Sequence, residues 1–99
     1  MVYAIICTDR SNSLPLRRET RPRHLARLEA LKAEGRLILA GPFPAADSTD
    51  PGEDGFTGSL IVASFASFEE ADAWAQADPY REAGVYQDVA VLPFIPVLP

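Results

Sequence analysis

The sequence has little of several residue types on which whole classes of protein depend. It contains one cysteine, Cys7, and one histidine, His24, among 99 residues. A lone cysteine forms no internal disulfide, and inside the apolar run Val2 to Thr8 a buried, inert thiol is the usual state. No CxxC, HExxH, GxSxG or phosphate-loop motif occurs. Zinc, thiol and nucleotide chemistry therefore have no sequence support, and we expect neither a metal nor a cofactor.

The chain also lacks an excess of positive charge and any long apolar segment. Its formal net charge is -5, which repels phosphate backbones and argues against a nucleic-acid partner. There is no positively charged leader and no run of about 18 apolar residues, so we expect no membrane insertion and a cytoplasmic location. A local anion site is still compatible with five arginines in one segment, namely Arg17, Arg18, Arg21, Arg23 and Arg27.

The residues that are present indicate one globular domain over residues 1–99. Apolar residues make up 47% of the chain and charged residues 23%, which is a globular composition at the size of a single core. Segments rich in β-branched and aromatic residues predict four strands. These strands cover residues 1–8, 36–43, 58–65 and 86–97.

Two helical segments separate the strands. The first ends at Glu34 before Gly35 and carries Leu14, Leu25, Leu28 and Leu31 on one 3.6-residue phase. Pro22 either divides it into two helices or kinks it. The second begins at the capping box Ser67 to Glu70, in which each side chain would bond the other residue's backbone N–H, and runs to about Ala77. Its predicted buried residues are Phe68, Ala71, Trp74 and Ala75.

The order of these elements is βαββαβ, which predicts a ferredoxin-like α+β fold with a four-stranded antiparallel sheet. Both faces of the first and the last predicted strand are apolar. In the first strand Val2, Ala4 and Ile6 alternate with Tyr3, Ile5 and Cys7. Two helices cover one face only, so a second copy is the simplest cover for the other. We therefore predict a homodimer that packs sheet against sheet.

His24 is the first candidate for chemistry, because it lies on the phase of Leu28 and Leu31 and points toward the sheet. A core histidine bonded to a carbonyl and a proton-transfer residue are both compatible with this position. Asp78 could pair with it, although an Asp before Pro is also an ordinary N-cap. Tyr80 could supply a hydroxyl at the same place or simply pack.

The strand ends offer further candidates for binding a ligand. Gly41 ends the second strand and Gly58-Ser59 begins the third, so a ligand could approach the backbone and bond the Ser59 hydroxyl, although strand-end geometry also explains the glycines. The loop over residues 44–57 is long enough to be a lid or a mobile segment. Its acidic residues lack the spacing of a calcium loop, and a solvated loop is the simpler interpretation.

Several motifs resemble the YciI-like family along the whole chain. They are Arg21-Pro22-Arg23-His24-Leu25, Glu34-Gly35-Arg36-Leu37, Ala40-Gly41-Pro42, Gly55-Phe56-Thr57-Gly58-Ser59, Ala77-Asp78-Pro79-Tyr80 and Ala83-Gly84-Val85-Tyr86. The resemblance implies a dimeric α+β barrel, with His24 and Asp78 as a pair in a cleft and Ser59 nearby.

Two functions follow as hypotheses. The first is a metal-free lyase, isomerase or dehydrochlorinase-like enzyme in which Asp78 orients His24 and His24 moves a proton on a small organic substrate. Ser59 and Arg21 would bind a substrate oxygen, with Gly41 and Tyr80 beside them. The second is a module that binds or senses a small metabolite without catalysis.

Overall fold

A computed structural model describes all 99 residues and has the predicted order of elements. The strands are β1 (Val2–Asp9), β2 (Leu37–Pro44), β3 (Phe56–Ser64) and β4 (Tyr86–Phe94). The helices are α1 (Leu14–Ala33), α2 (Phe68–Gln76) and the short α3 (Pro79–Glu82). The strands form one antiparallel sheet in the order β2-β3-β1-β4, which is the ferredoxin-like arrangement. The predicted α+β fold class is therefore confirmed.

Helix α1 is one unbroken helix, so Pro22 does not divide it. Proline deprives the helix of one backbone donor, and here the helix continues past it to Ala33. Its buried face holds Arg17, Thr20, His24, Leu28 and Leu31, which places His24 inward as predicted.

Three details of the predicted helices and strands are wrong. The Glu70 carboxylate accepts from the Ala66 N–H at 3.3 Å and not from Ser67, although the Ser67 hydroxyl does accept from the Glu70 N–H. Phe68, predicted to be buried, is 44% exposed because it lies in the first turn of α2. Strand β4 also ends at Phe94 and not at Val97, since Pro96 has no backbone donor to extend the ladder.

The hydrophobic core lies between the helices and one face of the sheet. That face of β1 supplies Tyr3, Ile5 and Cys7, and α2 supplies Ala71 and Ala75, all of them buried. The opposite face has no element packed on it, and large apolar side chains there are exposed. They include Ile6, Ile38, Leu39, Leu92 and Phe94. No helix has the length and apolar character that a membrane span requires.

Gly58 is placed inside β3, where it pairs with Thr8 of β1. A Cβ atom at this position would collide with the backbone carbonyl of Cys7. The glycine is therefore required because the two strand backbones approach closely at this point. By contrast, a Cβ at Gly41 would meet no atom within 4 Å.

We expect Gly58→Ala to lower the free energy of unfolding by about 1 to 3 kcal/mol, the usual cost of forcing extra volume into a packed region. The control is Gly41→Ala, which adds the same methyl group to open space and should change stability by less than about 0.5 kcal/mol. Urea denaturation of both variants measures the difference. Equal midpoints for the two variants would show that β1 and β3 are not so closely apposed.

Candidate functional site

A cavity of about 170 Å³ lies between α1, the edge strand β2, β3 and α3. Drug-sized ligands usually occupy cavities of roughly 300 to 1,000 Å³, so this one suits a smaller molecule. Five of the six residues predicted to form a site line it, and the sixth, Asp78, lies behind His24. The five lining residues are Arg21, His24, Gly41, Ser59 and Tyr80.

His24 and Asp78 form a buried pair. Nδ1 of His24 lies 2.9 Å from Oδ1 and 3.0 Å from Oδ2 of Asp78. A carboxylate only accepts hydrogen bonds, so in the neutral imidazole Nδ1 carries the proton and Nε2 keeps a free lone pair. Nε2 has no hydrogen-bond partner in the chain and is not sealed from solvent. The pair therefore presents a basic nitrogen to the cavity.

Asp78 is also the N-cap of α3, as the Asp-Pro motif allows. Its Oδ1 accepts from the Tyr80 N–H at 2.9 Å, and only 2% of the residue is exposed. The capping and pairing interpretations of Asp78 are thus compatible, because one carboxylate makes both contacts. The result is that the start of α3 and the ring of His24 are fixed to the same group.

Tyr80 packs against two of the basic groups that line the cavity, His24 and Arg17. Its ring stacks on the His24 imidazole, with centroids 4.0 Å apart, and the Arg17 guanidinium carbon lies 4.8 Å from its centroid. Burial raises the pKa of Tyr80 above its ordinary value, although Arg17 and Arg21 oppose the shift. The hydroxyl therefore stays protonated and able to donate a hydrogen bond.

Arg17 organises the other side of the cavity, and it was not among the predicted site residues. Its guanidinium makes a bidentate pair with Asp9, at 2.9 Å and 3.0 Å, and donates to the Ser59 hydroxyl at 2.8 Å. It also donates to the Gly58 carbonyl at 3.1 Å. Burial alone would lower the pKa of Arg17, but the hydrogen bond and charge of Asp9 outweigh it and raise the pKa overall.

The position of Arg17 on α1 is a signal from which its place in the site could have been predicted. It lies seven residues before His24, two helical turns away, and so occupies the same inward face. The prediction considered Arg17 only as one of five clustered arginines, and charged side chains are rarely buried unless they are paired. Its partner Asp9 ends β1, and nothing in the sequence links two residues in different elements.

Two titratable residues of the hydrophobic core, Cys7 and Tyr86, do not offer further chemistry. Burial raises the pKa of Cys7 to about 12, so the thiol stays protonated at neutral pH and is a poor nucleophile. Burial likewise raises the pKa of Tyr86, whose hydroxyl is enclosed without a hydrogen-bond partner. No group of three or more histidine, cysteine or acidic residues is arranged to share a metal ion.

The fold and the site together define a ferredoxin-like domain with a buried histidine/aspartate pair that opens onto a small cavity. The family model described as the YCII-related domain matches residues 1–95, and the chain belongs to that family.

Named relatives agree with this assignment. Protein YciI of Escherichia coli and that of Shigella flexneri are each 57% identical over 75 residues, which is 76% of this chain and 76% of the relative. An uncharacterized protein of Haemophilus influenzae is 52% identical over the same share of each chain.

A solved structure also matches most of the chain. It is the 5-chloro-2-hydroxyhydroquinone dehydrochlorinase TftG of Burkholderia phenoliruptrix, in complex with 2,5-dihydroxybenzoquinone. The TM-score is 0.83 at 30% identity, covering 96% of this chain and 94% of that one.

The buried Arg17–Asp9 pair should be much more important to stability than the exposed pair Arg18–Glu53. We expect Asp9→Asn to destabilise the fold by about 3 to 5 kcal/mol, because it leaves the Arg17 cation buried without its counter-charge. The side chains of Arg18 and Glu53 are 56% and 88% exposed. Glu53→Gln therefore makes the same chemical change at a cost of about 1 kcal/mol or less. Urea denaturation compares the two, and a loss for Asp9→Asn as small as that for Glu53→Gln would contradict this role.

Proposed function

We propose that the chain is a small-molecule enzyme in which His24 transfers a proton to and from the substrate and Asp78 orients His24. The single observation that carries this proposal is the geometry of the pair. Asp78 holds Nδ1 and leaves Nε2 open to a cavity of substrate size. A core histidine would bury both nitrogens or bond a carbonyl, and this one does neither.

The reaction class follows from the groups that line the cavity together with His24. As a base, Nε2 removes a proton from the substrate, and the Asp78 carboxylate stabilises the imidazolium that results. The Tyr80 and Ser59 hydroxyls can donate to a substrate oxygen as negative charge builds on it. The imidazolium can then return the proton at another atom or to a departing group. Isomerisation and elimination both fit this order of proton-transfer steps.

Ser59 is prepared for the donor role by its neighbour. Arg17 donates to the Ser59 oxygen at 2.8 Å, so the hydroxyl's own hydrogen is free to point elsewhere. An oxygen that already accepts from a cation is also a stronger donor, since hydrogen bonds in a chain polarise one another. Arg17 thus acts through Ser59 as a positioning residue.

The relative TftG supports a phenolic substrate for this chain. That protein is a dehydrochlorinase of a chlorinated hydroxyhydroquinone, and its structure contains a dihydroxybenzoquinone. A single hydroxylated ring is a small, planar, easily deprotonated molecule, which suits a basic nitrogen beside a stacked tyrosine. We propose substrates of this type for the cavity of about 170 Å³.

The test uses purified protein, 5-chloro-2-hydroxyhydroquinone and a mixture of small phenols and carboxylic acids. We expect one of them to be consumed, as measured by mass spectrometry, and His24→Gln to lower the rate by about 10² to 10⁴-fold, the usual contribution of a positioned acid or base. The control is Glu29→Gln on the exposed face of α1, which should keep the wild-type rate.

His24→Gln retains roughly the volume of the ring, so the thermal shift produced by a bound compound should persist in the variant. If compounds bind but none is consumed by the wild type, the site is a binding or sensing module and the enzyme proposal is wrong. Equal rates for the wild type and His24→Gln would likewise exclude His24 as the proton-transfer residue.

We also propose that two copies associate through the uncovered sheet face as a dimeric α+β barrel. A groove of about 460 Å³ crosses this face, lined mainly by apolar side chains of all four strands and by the C-terminal tail. Among them Ile38, Leu39 and Leu92 are about half exposed. Apolar surface of this extent is typical of an association site, and closed two-fold dimers are the commonest assembly.

The expected mass in light scattering at micromolar concentration is twice the chain mass of 10.8 kDa. Leu92→Glu should give a monomer, because a charge buried without a partner at the interface costs about 3 to 5 kcal/mol. Leu16→Glu is the matched control, since Leu16 is an exposed leucine on α1, away from the sheet face. A wild-type monomer, or a monomer with both variants, would contradict this assembly.

A further inference from the structure

The His24 cavity does not end at Tyr80. A second cavity of about 130 Å³ lies beside it and shares four of its lining residues. These are Arg17, Arg21, Pro42 and Tyr80. The second cavity adds Leu14, Arg18 and Phe56, so it extends along α1 toward the start of the helix. A ligand with its head at His24 could therefore place an attached group in this second space.

The charges in the two cavities differ in how far they are already compensated. Arg17 is committed to Asp9 and Ser59, and its cation is neutralised by the bidentate pair. Arg18 contacts only Glu53, at 3.3 Å and in an exposed position. Arg21 has no hydrogen bond or ion pair in the chain, yet it lines both cavities. Arg21 therefore brings to both cavities a positive charge that is not engaged in a hydrogen bond or an ion pair.

The lining of the second cavity limits the chemistry of a group that binds beside Arg21. Leu14, Pro42 and Phe56 are apolar and line the second cavity. Beyond it a wider cavity of about 520 Å³ begins, whose lining mixes the acidic Glu53 and Asp54 with the basic Arg10 and Arg18. A negative group is favoured beside Arg21, which has no counter-charge of its own. Because Arg21 lines both cavities, the arm between head and anion must be short.

We propose that the substrate has two parts, a ring-sized head at His24 and an anionic oxygen group on a short apolar arm that Arg21 binds in the second cavity, with Arg18 adding to the positive field. This inference rests on the proposed function for the head. It goes beyond that function because it names a second recognition element. A guanidinium is suited to a carboxylate or a phosphate, which it can bind with two parallel hydrogen bonds.

The test compares two probes that differ only in the anion, 3-(4-hydroxyphenyl)propionate and 4-propylphenol. Calorimetric titration of the wild type at low salt should give a dissociation constant about tenfold lower for the carboxylate. Added salt should reduce this preference, because the contact is ionic and partly exposed. Arg21→Gln should abolish the preference, and Arg21→Lys should restore part of it.

The control is Arg23→Gln, which removes the same charge two residues away at an exposed position that lines neither cavity. It should keep the preference for the carboxylate, which excludes a general effect of net charge. Equal affinities of the wild type for both probes, or no binding of the carboxylate, would overturn the inference. So would an unchanged preference in Arg21→Gln.

The outcome can be separated from that of the enzyme proposal. His24→Gln should bind the carboxylate with its preference intact, because Arg21 is untouched. If no probe or phenol is ever consumed but the preference depends on Arg21, the proposal of catalysis fails and the anion site stands. If a phenol is consumed without any preference for an anionic arm, catalysis stands and the anion site fails.

Discussion

The Asp78 carboxylate is the interaction on which the rest of the site depends. It is almost completely buried, both of its oxygens accept a hydrogen bond from the Nδ1–H of His24, and it caps α3 through the Tyr80 N–H. A buried carboxylate with too few donors would be costly, and these contacts satisfy it. Because Tyr80 follows in the same short helix, the cap also brings the phenol ring onto the imidazole. One group thus sets the tautomer, the ring orientation and the stacking partner of His24.

A second buried pair, Arg17 with Asp9, lies on the opposite wall, and there too a buried charged group is satisfied by its partners. Charged groups are expensive to bury singly, so they occur in matched pairs with further hydrogen bonds. In this cavity the His24 Nδ1–H donates to the Asp78 carboxylate, and Asp9 neutralises the charge of Arg17, each at about 3 Å. The cavity-lining residue that remains without such a partner is Arg21. The positive character of the cavity therefore results from Arg21, not from the number of arginines on α1.

Sequence patterns predicted the βαββαβ order, the inward position of His24 and the two-faced β1, because each of these is a periodic feature within one element. The contact between His24 and Asp78 spans 54 residues. Asp78 was predicted only as a possible partner, and family resemblance implied the pair, because no local pattern encodes a contact between distant elements. Arg17 was missed because an arginine on a helix is usually solvated, and its partner lies in another element. The close approach of β1 at Gly58 was missed for a related reason, as strand register is a tertiary property.

The edge strand β2 links the site to the proposed assembly. It pairs only with β3, and every residue of it after Leu37 is exposed. Ala40, Gly41 and Pro42 form a wall of the His24 cavity, while Ile38 and Leu39 belong to the uncovered apolar groove. A strand with a single neighbour and little burial is among the least stable parts of a fold. A second copy packed on the groove would therefore stabilise β2, and with it the wall against which a substrate must fit.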